Sequence, residues 1–86
     1  MAKKVLLIDD DNEFVAAITN LLDAKGYDVE SASSGQEGLS KAKSVKPDIV
    51  ILDVMLETST EGFNIAKQIK GIEELSKVPI IMLSGI

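Results

Sequence analysis

Three short apolar runs, each stopping abruptly at an oxygen-bearing side chain, constrain this 86-residue chain more than any other feature. Val5-Leu6-Leu7-Ile8 stops at Asp9-Asp10-Asp11, Ile49-Val50-Ile51-Leu52 stops at Asp53, and Pro79-Ile80-Ile81-Met82-Leu83 stops at Ser84. An unbroken apolar run without alternation fits a strand buried on both faces, as in a parallel sheet covered by helices. The segments between the runs carry the helical period. Phe14, Val15, Ile18, Leu21 and Leu22 fall on one stripe, with Asp11 or Asn12 as the cap and Gly26 at the stop. Ser34-Gly35-Gln36-Glu37 reads as a capping box. It opens a second helix through Leu39, Ala42 and Val45, which Lys46-Pro47 closes. A third helix carries Phe63, Ile65, Ala66 and Ile69 and ends near Gly71. Tyr27 to Ser33 alternates weakly, as an edge strand does. The expected order is βαβαβαβ, an α/β sandwich whose right-handed crossovers place helices on both faces of a parallel sheet. With no repeat, linker or low-complexity tract, residues 1–86 are expected to belong to one domain.

Composition narrows the chemistry. The chain has no Cys and no His, which removes disulfides, thiolate or imidazole metal sites, cysteine nucleophiles and Ser-His triads. Phe14, Tyr27 and Phe63 are its three aromatic residues, too few for a stacking platform for single-stranded nucleic acid. Nine basic against fourteen acidic residues give a net charge of −5, so no nucleic-acid footprint is expected. Only a short apolar run follows Met1-Ala2-Lys3-Lys4, less than a signal peptide or a membrane span requires. A cytoplasmic protein without membrane attachment is the expectation.

The remaining chemistry belongs to carboxylates, hydroxyls and a hard cation. Asp9, Asp10 and Asp53 each stand where a buried strand gives way to its loop. In a parallel sheet such ends share one edge, which is where open α/β sheets bind ligands. If the first and third strands are neighbours, their backbones lie about 4.8 Å apart and the acids converge. Converging carboxylates repel unless a cation is shared, and Mg²⁺ takes one or two carboxylates, keeps waters and accepts phosphate oxygens. A strand-end aspartate can then attack phosphorus, and the Ser84 hydroxyl can meet a phosphoryl oxygen. Against this stands the plainer reading, in which each aspartate caps a helix or faces solvent.

Val5 to Glu13, Pro47 to Met55 and Val78 to Ser84 together resemble the receiver domain of bacterial two-component response regulators. The resemblance runs the length of the chain, with its motifs in order. It implies a flavodoxin-like three-layer sandwich with strands in the order 2-1-3-4, ending before the family's fifth strand and last helices. Asp53 would be the phosphoacceptor, supplied by a sensor histidine kinase. Asp10 would be the principal Mg²⁺ ligand, Asp9 would act largely through water, and Met55 would lend its backbone carbonyl. Ser84 would be the switch hydroxyl. Such a domain is not itself an enzyme. Two departures stand out. Leu56-Glu57 replaces the usual Met-Pro, with one extra residue before Gly62, and the lysine ending the fifth strand has no counterpart. A receiver without that lysine is expected to take up phosphate slowly. The uncovered last strand is expected to promote a homodimer or a higher oligomer.

Three rivals deserve weighing. A haloacid-dehalogenase-like phosphatase would need an aspartate two residues after Asp53, where Met55 stands. A nucleotide-binding module would need a glycine-rich loop after the first strand, where the acids stand. The third is a receiver fragment that folds or dimerises without phosphotransfer.

Overall fold

The computed structural model describes residues 2–53 and 59–83, and for residues 59–63 the backbone only. The elements are β1 (Lys4–Ile8), α1 (Asn12–Ala24), β2 (Asp28–Ala32), α2 (Gly35–Val45), β3 (Ile49–Asp53), α3 (Ser59–Lys70), a 3-10 turn (Glu73–Leu75) and β4 (Ile80–Leu83). All strand pairs are parallel, in the order β2-β1-β3-β4. This is the expected three-layer α/β architecture, with β1 and β3 as neighbours.

Local chemistry sets the element boundaries. Asp11 is the cap of α1, its carboxylate accepting from the backbone N–H groups of Glu13 and Phe14, both at 3.1 Å. At the other end, Gly26 takes φ +92, a left-handed conformation in which a side chain would be strained. Its N–H donates to the Asp23 carbonyl at 3.0 Å. The capping box of α2 forms, but displaced by one residue. Ser34 Oγ accepts from the Glu37 N–H at 3.2 Å, whereas the Glu37 carboxylate reaches back to the N–H of Ser33, at 2.7 Å. Lys46 ends α2 in the left-handed region at φ 52, and Pro47 follows. Lys46 Nζ pairs with the Glu74 carboxylate at 2.7 Å, which holds the lysine's pKa above its usual range.

Side chains alternate across the sheet. Leu6, Ile8, Val50 and Leu52 point into a core completed by Ala42 of α2, Ile65 and Ile69 of α3, and Leu75 of the 3-10 turn. Gly38 brings α2 so close to β1 that a Cβ there would fall on Ile8, 2.7 Å from Cγ1. On the opposite face, Val5 and Leu7 are buried and α1 packs against β2. Cover thins toward β4: Ile49 and Ile51 are half-buried, while Ile81 is 46% exposed and Leu21 of α1 54%. Phe63, assigned to the apolar face of the third helix, lies outside the residues whose side chains are described.

Two lysines that read as surface residues tie the layers together. Lys41 Nζ donates to the Ser31 carbonyl at 2.6 Å, linking α2 to β2. Lys70 Nζ donates to the Val78 carbonyl at 2.7 Å, linking α3 to the lead-in of β4. Among the described residues, no helix is long and apolar enough to cross a membrane.

Candidate functional site

The register of β1 against β3 builds the site. Ile8 pairs with Leu52, so Asp9, one residue beyond β1, stands beside Asp53, the last residue of β3. Asp9 is held there because its N–H donates to the Ala32 carbonyl at 3.0 Å, carrying the β1–β2 ladder one residue past the strand. The N-terminal ends of the same strands are pinned reciprocally. Lys4 N–H donates to the Asp48 carboxylate and Asp48 N–H to the Lys4 carbonyl, both at 2.8 Å. With the strands fixed at one end, the acids at the other have little freedom to separate.

Asp9, Asp10 and Asp53 each present a carboxylate oxygen, and these oxygens all lie within 4.8 Å of one another. Asp9 is buried at 5% exposure, Asp53 is half-buried and Asp10 is exposed. The cluster is thus graded from core to solvent. Burial pushes the Asp9 carboxyl above the ordinary aspartate range; the Asp11 N–H bond opposes this, and the charges of Asp53, Asp10 and Asp11 add to the upward push. A cation among the three oxygens would remove that repulsion. The donors suit a hard ion: they are anionic oxygens, and the chain offers no His or Cys to favour a softer metal. Octahedral Mg²⁺ holds its ligands at about 2.0–2.1 Å, so ligand oxygens lie at most about 4.2 Å apart. The observed spread is close to that.

The structure therefore brings together the three acids singled out in the sequence and separates from them their neighbour Asp11, which serves α1. It also shows a contact that the sequence reading missed: Asp9 Oδ1 accepts from the Asp11 N–H at 2.9 Å. An aspartate two residues before the helix cap Asp11, able to form a local side-chain turn, was its one sequence signal. The remaining two site residues, Met55 and Ser84, lie outside the described residues. The register places Leu83, the residue before Ser84, opposite Asp53.

The family model described as the response regulator receiver domain matches residues 5–86. The chain belongs to the response regulator receiver family. Among curated relatives of this receiver chain, the alkaline phosphatase synthesis transcriptional regulatory protein PhoP of Bacillus subtilis is 40% identical over 85 residues. That match covers 99% of this chain and 34% of PhoP. The polar-differentiation response regulator DivK of Brucella ovis is 30% identical, with 99% of this chain and 68% of DivK covered. Among solved structures, the chemotaxis response regulator CheY4 of Vibrio cholerae superposes with a TM-score of 0.89 at 32% identity. That superposition covers 95% of this chain and 68% of CheY4. The N-terminal domain of a response regulator receiver protein from Methanoculleus marisnigri gives a TM-score of 0.90 at 29% identity, covering 100% of this chain and 69% of that one. This receiver chain thus spans about a third of the length of PhoP and about two thirds of the lengths of DivK and of the CheY4 chain.

Proposed function

We propose that the chain accepts a phosphoryl group on Asp53 from the phosphohistidine of a sensor kinase, in a Mg²⁺-dependent reaction in the cytoplasm. The observation that carries this reading is the convergence of Asp9, Asp10 and Asp53 between β1 and β3, at the carboxyl edge of the sheet. A half-buried carboxylate at a strand end is rigidly placed yet reachable from outside. In the transfer, a carboxylate oxygen of Asp53 forms the new bond to phosphorus, while the bond from phosphorus to the kinase imidazole breaks and its electron pair leaves with the ring nitrogen. Asp10 and Asp9 would hold the metal, with Asp53 and the Met55 carbonyl completing the protein's share. Bound Mg²⁺ would supply positive charge for the phosphoryl oxygens and screen the attacking carboxylate from its neighbours. Ser84 is assigned by its place after β4 to meet the phosphoryl group through its hydroxyl. Asp9 serves chiefly to position the loop, since one of its oxygens is engaged by the Asp11 amide.

Incubation with a small-molecule phosphodonor tests this, read by intact mass with Mg²⁺ and with a chelator. The expected result is the mass of one added phosphoryl group when Mg²⁺ is present and none without it. Phosphorylation indifferent to the chelator would remove the metal from the reaction, and no phosphorylation in either condition would leave the chain a structural member of its family.

A further inference from the structure

One peptide group at the carboxyl end of β2 is held from both sides. Its carbonyl, that of Ala32, accepts from the Asp9 N–H at 3.0 Å. Its N–H, that of Ser33, donates to the Glu37 carboxylate at 2.7 Å. The Ser33 hydroxyl donates to the same carboxylate oxygen at 3.2 Å. The buried acid of the cluster is thus joined to an exposed acid of α2 through a single planar peptide. We propose that Glu37 is a positioning residue for the metal site, acting on Asp9 through the Ala32–Ser33 peptide.

The displacement of the capping box makes this connection. In the usual box the carboxylate returns to the amide of the cap residue itself, here Ser34. That amide belongs to the next peptide along, whereas Asp9 bonds to the one before it. By settling on Ser33, Glu37 places its charge on the very peptide that holds Asp9. A bond of 2.7 Å is in the range of charge-assisted hydrogen bonds. An N–H bound to an anion polarises its peptide and makes the carbonyl a stronger acceptor, so the two hydrogen bonds reinforce each other. Lys41, one turn further on, does the converse to the preceding peptide, its Nζ donating to the Ser31 carbonyl at 2.6 Å. Both charges therefore act on the peptides flanking Ala32, the last residue of β2. Between them Gly38 lies against Ile8, the residue before Asp9. One turn of α2 thus sets the ends of β1 and β2 together.

The consequence for the site is preorganisation. Three carboxylate oxygens within 4.8 Å of one another repel when no cation lies between them, and the anchored Asp9 amide resists their separation. A site already assembled gives up less freedom when the ion arrives. The link to metal rests on the phosphoacceptor reading above; the link between Glu37 and the Asp9 amide does not.

Amide NMR spectra in chelator and calorimetric Mg²⁺ titration test the two links separately. The Asp9 amide proton should move upfield in Glu37→Ala. It should move less in Glu37→Gln, which keeps an oxygen for the Ser33 amide but not the charge, and which carries the test if Glu37→Ala does not fold. A group touching a metal ligand directly is typically worth about 10–100-fold in affinity, so Glu37→Ala, one peptide removed, should weaken Mg²⁺ by about three- to tenfold. Glu37→Gln should recover part of that loss. Ser34→Ala removes the cap of α2 but leaves the Ser33 amide its carboxylate, and should change neither readout. An Asp9 amide unmoved in the Glu37 variants overturns the proposal. So does parental Mg²⁺ affinity in Glu37→Ala, or an equal loss in Ser34→Ala. A parent protein without measurable Mg²⁺ affinity overturns the phosphoacceptor reading and the metal role together, while the amide shift still decides whether Glu37 holds Asp9.

Discussion

The carboxylate of Asp9 accepts a hydrogen bond from the backbone N–H of Asp11 at 2.9 Å, while the carboxylate of Asp11 turns the other way to cap α1. Two acids two residues apart are thereby given different work: one shapes the loop at the strand end, the other begins the helix. The first is the buried one, and its charge is not welcome without a cation.

That gives Asp9 a definite pH signature. Its folded pKa is raised above the ordinary aspartate value of 3.8, chiefly by burial. The folded protein therefore holds this proton more tightly than the unfolded chain does. The stability so contributed is present in full below about pH 3.8 and is lost as pH rises through the higher folded value. At neutral pH the ionised group is a cost. Asp9→Asn, which keeps an oxygen for the Asp11 amide, should melt several degrees higher than the parent in chelator at pH 7, with the gain disappearing near pH 3. Thermal circular dichroism at both pH values checks it; a lower melting temperature at pH 7 would show that the Asp9 charge is satisfied without metal.

Glu37 has the opposite sign. The Ser33 amide, foremost, holds its carboxyl below the usual value of 4.5, so its contribution is present above that pH and is lost as pH falls through the depressed folded value. Glu37→Ala should destabilise the protein at neutral pH and should be indistinguishable from the parent in strong acid. Denaturant melts across that range measure it, and an effect independent of pH would assign the loss to something other than the ionised carboxylate.

Asp10 and Asp11 are adjacent in sequence and should separate cleanly in experiment. Asp11→Ala removes a helix cap, a change that typically costs about 1 kcal/mol, and should leave Mg²⁺ affinity essentially unchanged. Asp10→Asn should weaken Mg²⁺ at least tenfold, a differential of about 1.4 kcal/mol, with little change in stability without metal. Calorimetric Mg²⁺ titration alongside thermal melts distinguishes the two, and equal affinities for parent and Asp10→Asn would place the ion elsewhere.

Gly38 is required by packing rather than by backbone conformation. An added methyl would fall on Ile8, 2.7 Å from Cγ1, in the core between α2 and β1. Overpacking of this kind typically costs about 1–3 kcal/mol, and each kcal/mol lowers the melting temperature of a domain this size by about 4–8 °C. Gly38→Ala should therefore melt several degrees lower, and Ile8→Val, which removes the terminal methyl, should recover part of that loss in the double variant. Purely additive effects would mean that the two residues do not share the strain.

The elements legible in the sequence were those whose signal is continuous. β1, β3 and β4 announced themselves as unbroken apolar runs, and the acidic ends of β1 and β3 converge because those two strands are neighbours. That neighbour relation came from family resemblance and not from composition, since nothing in an apolar run says which strand lies beside it. The 3-10 turn escaped notice because a single residue, Leu75, buries its core contribution. The displacement of the capping box was hidden for a different reason. A carboxylate on a flexible stem can choose between adjacent amides, and Glu37 settles on Ser33. Nor could periodicity show that α1 lies against β2 and leaves Ile81 exposed, because position across a sheet is a tertiary property. Met55 and Ser84, placed by their motifs, lie outside the described residues and rest on the resemblance.

The central claim is that Asp53 carries the phosphoryl group, and locating that group in the phosphorylated protein tests it most directly. After reaction with a small phosphodonor and Mg²⁺, the modification should behave as an acyl phosphate, labile to hydroxylamine. Peptide mapping should place it at Asp53, and Asp53→Asn should abolish it. A hydroxylamine-stable phosphate mapped to Ser84, or an acyl phosphate mapped to Asp9, would contradict the assignment.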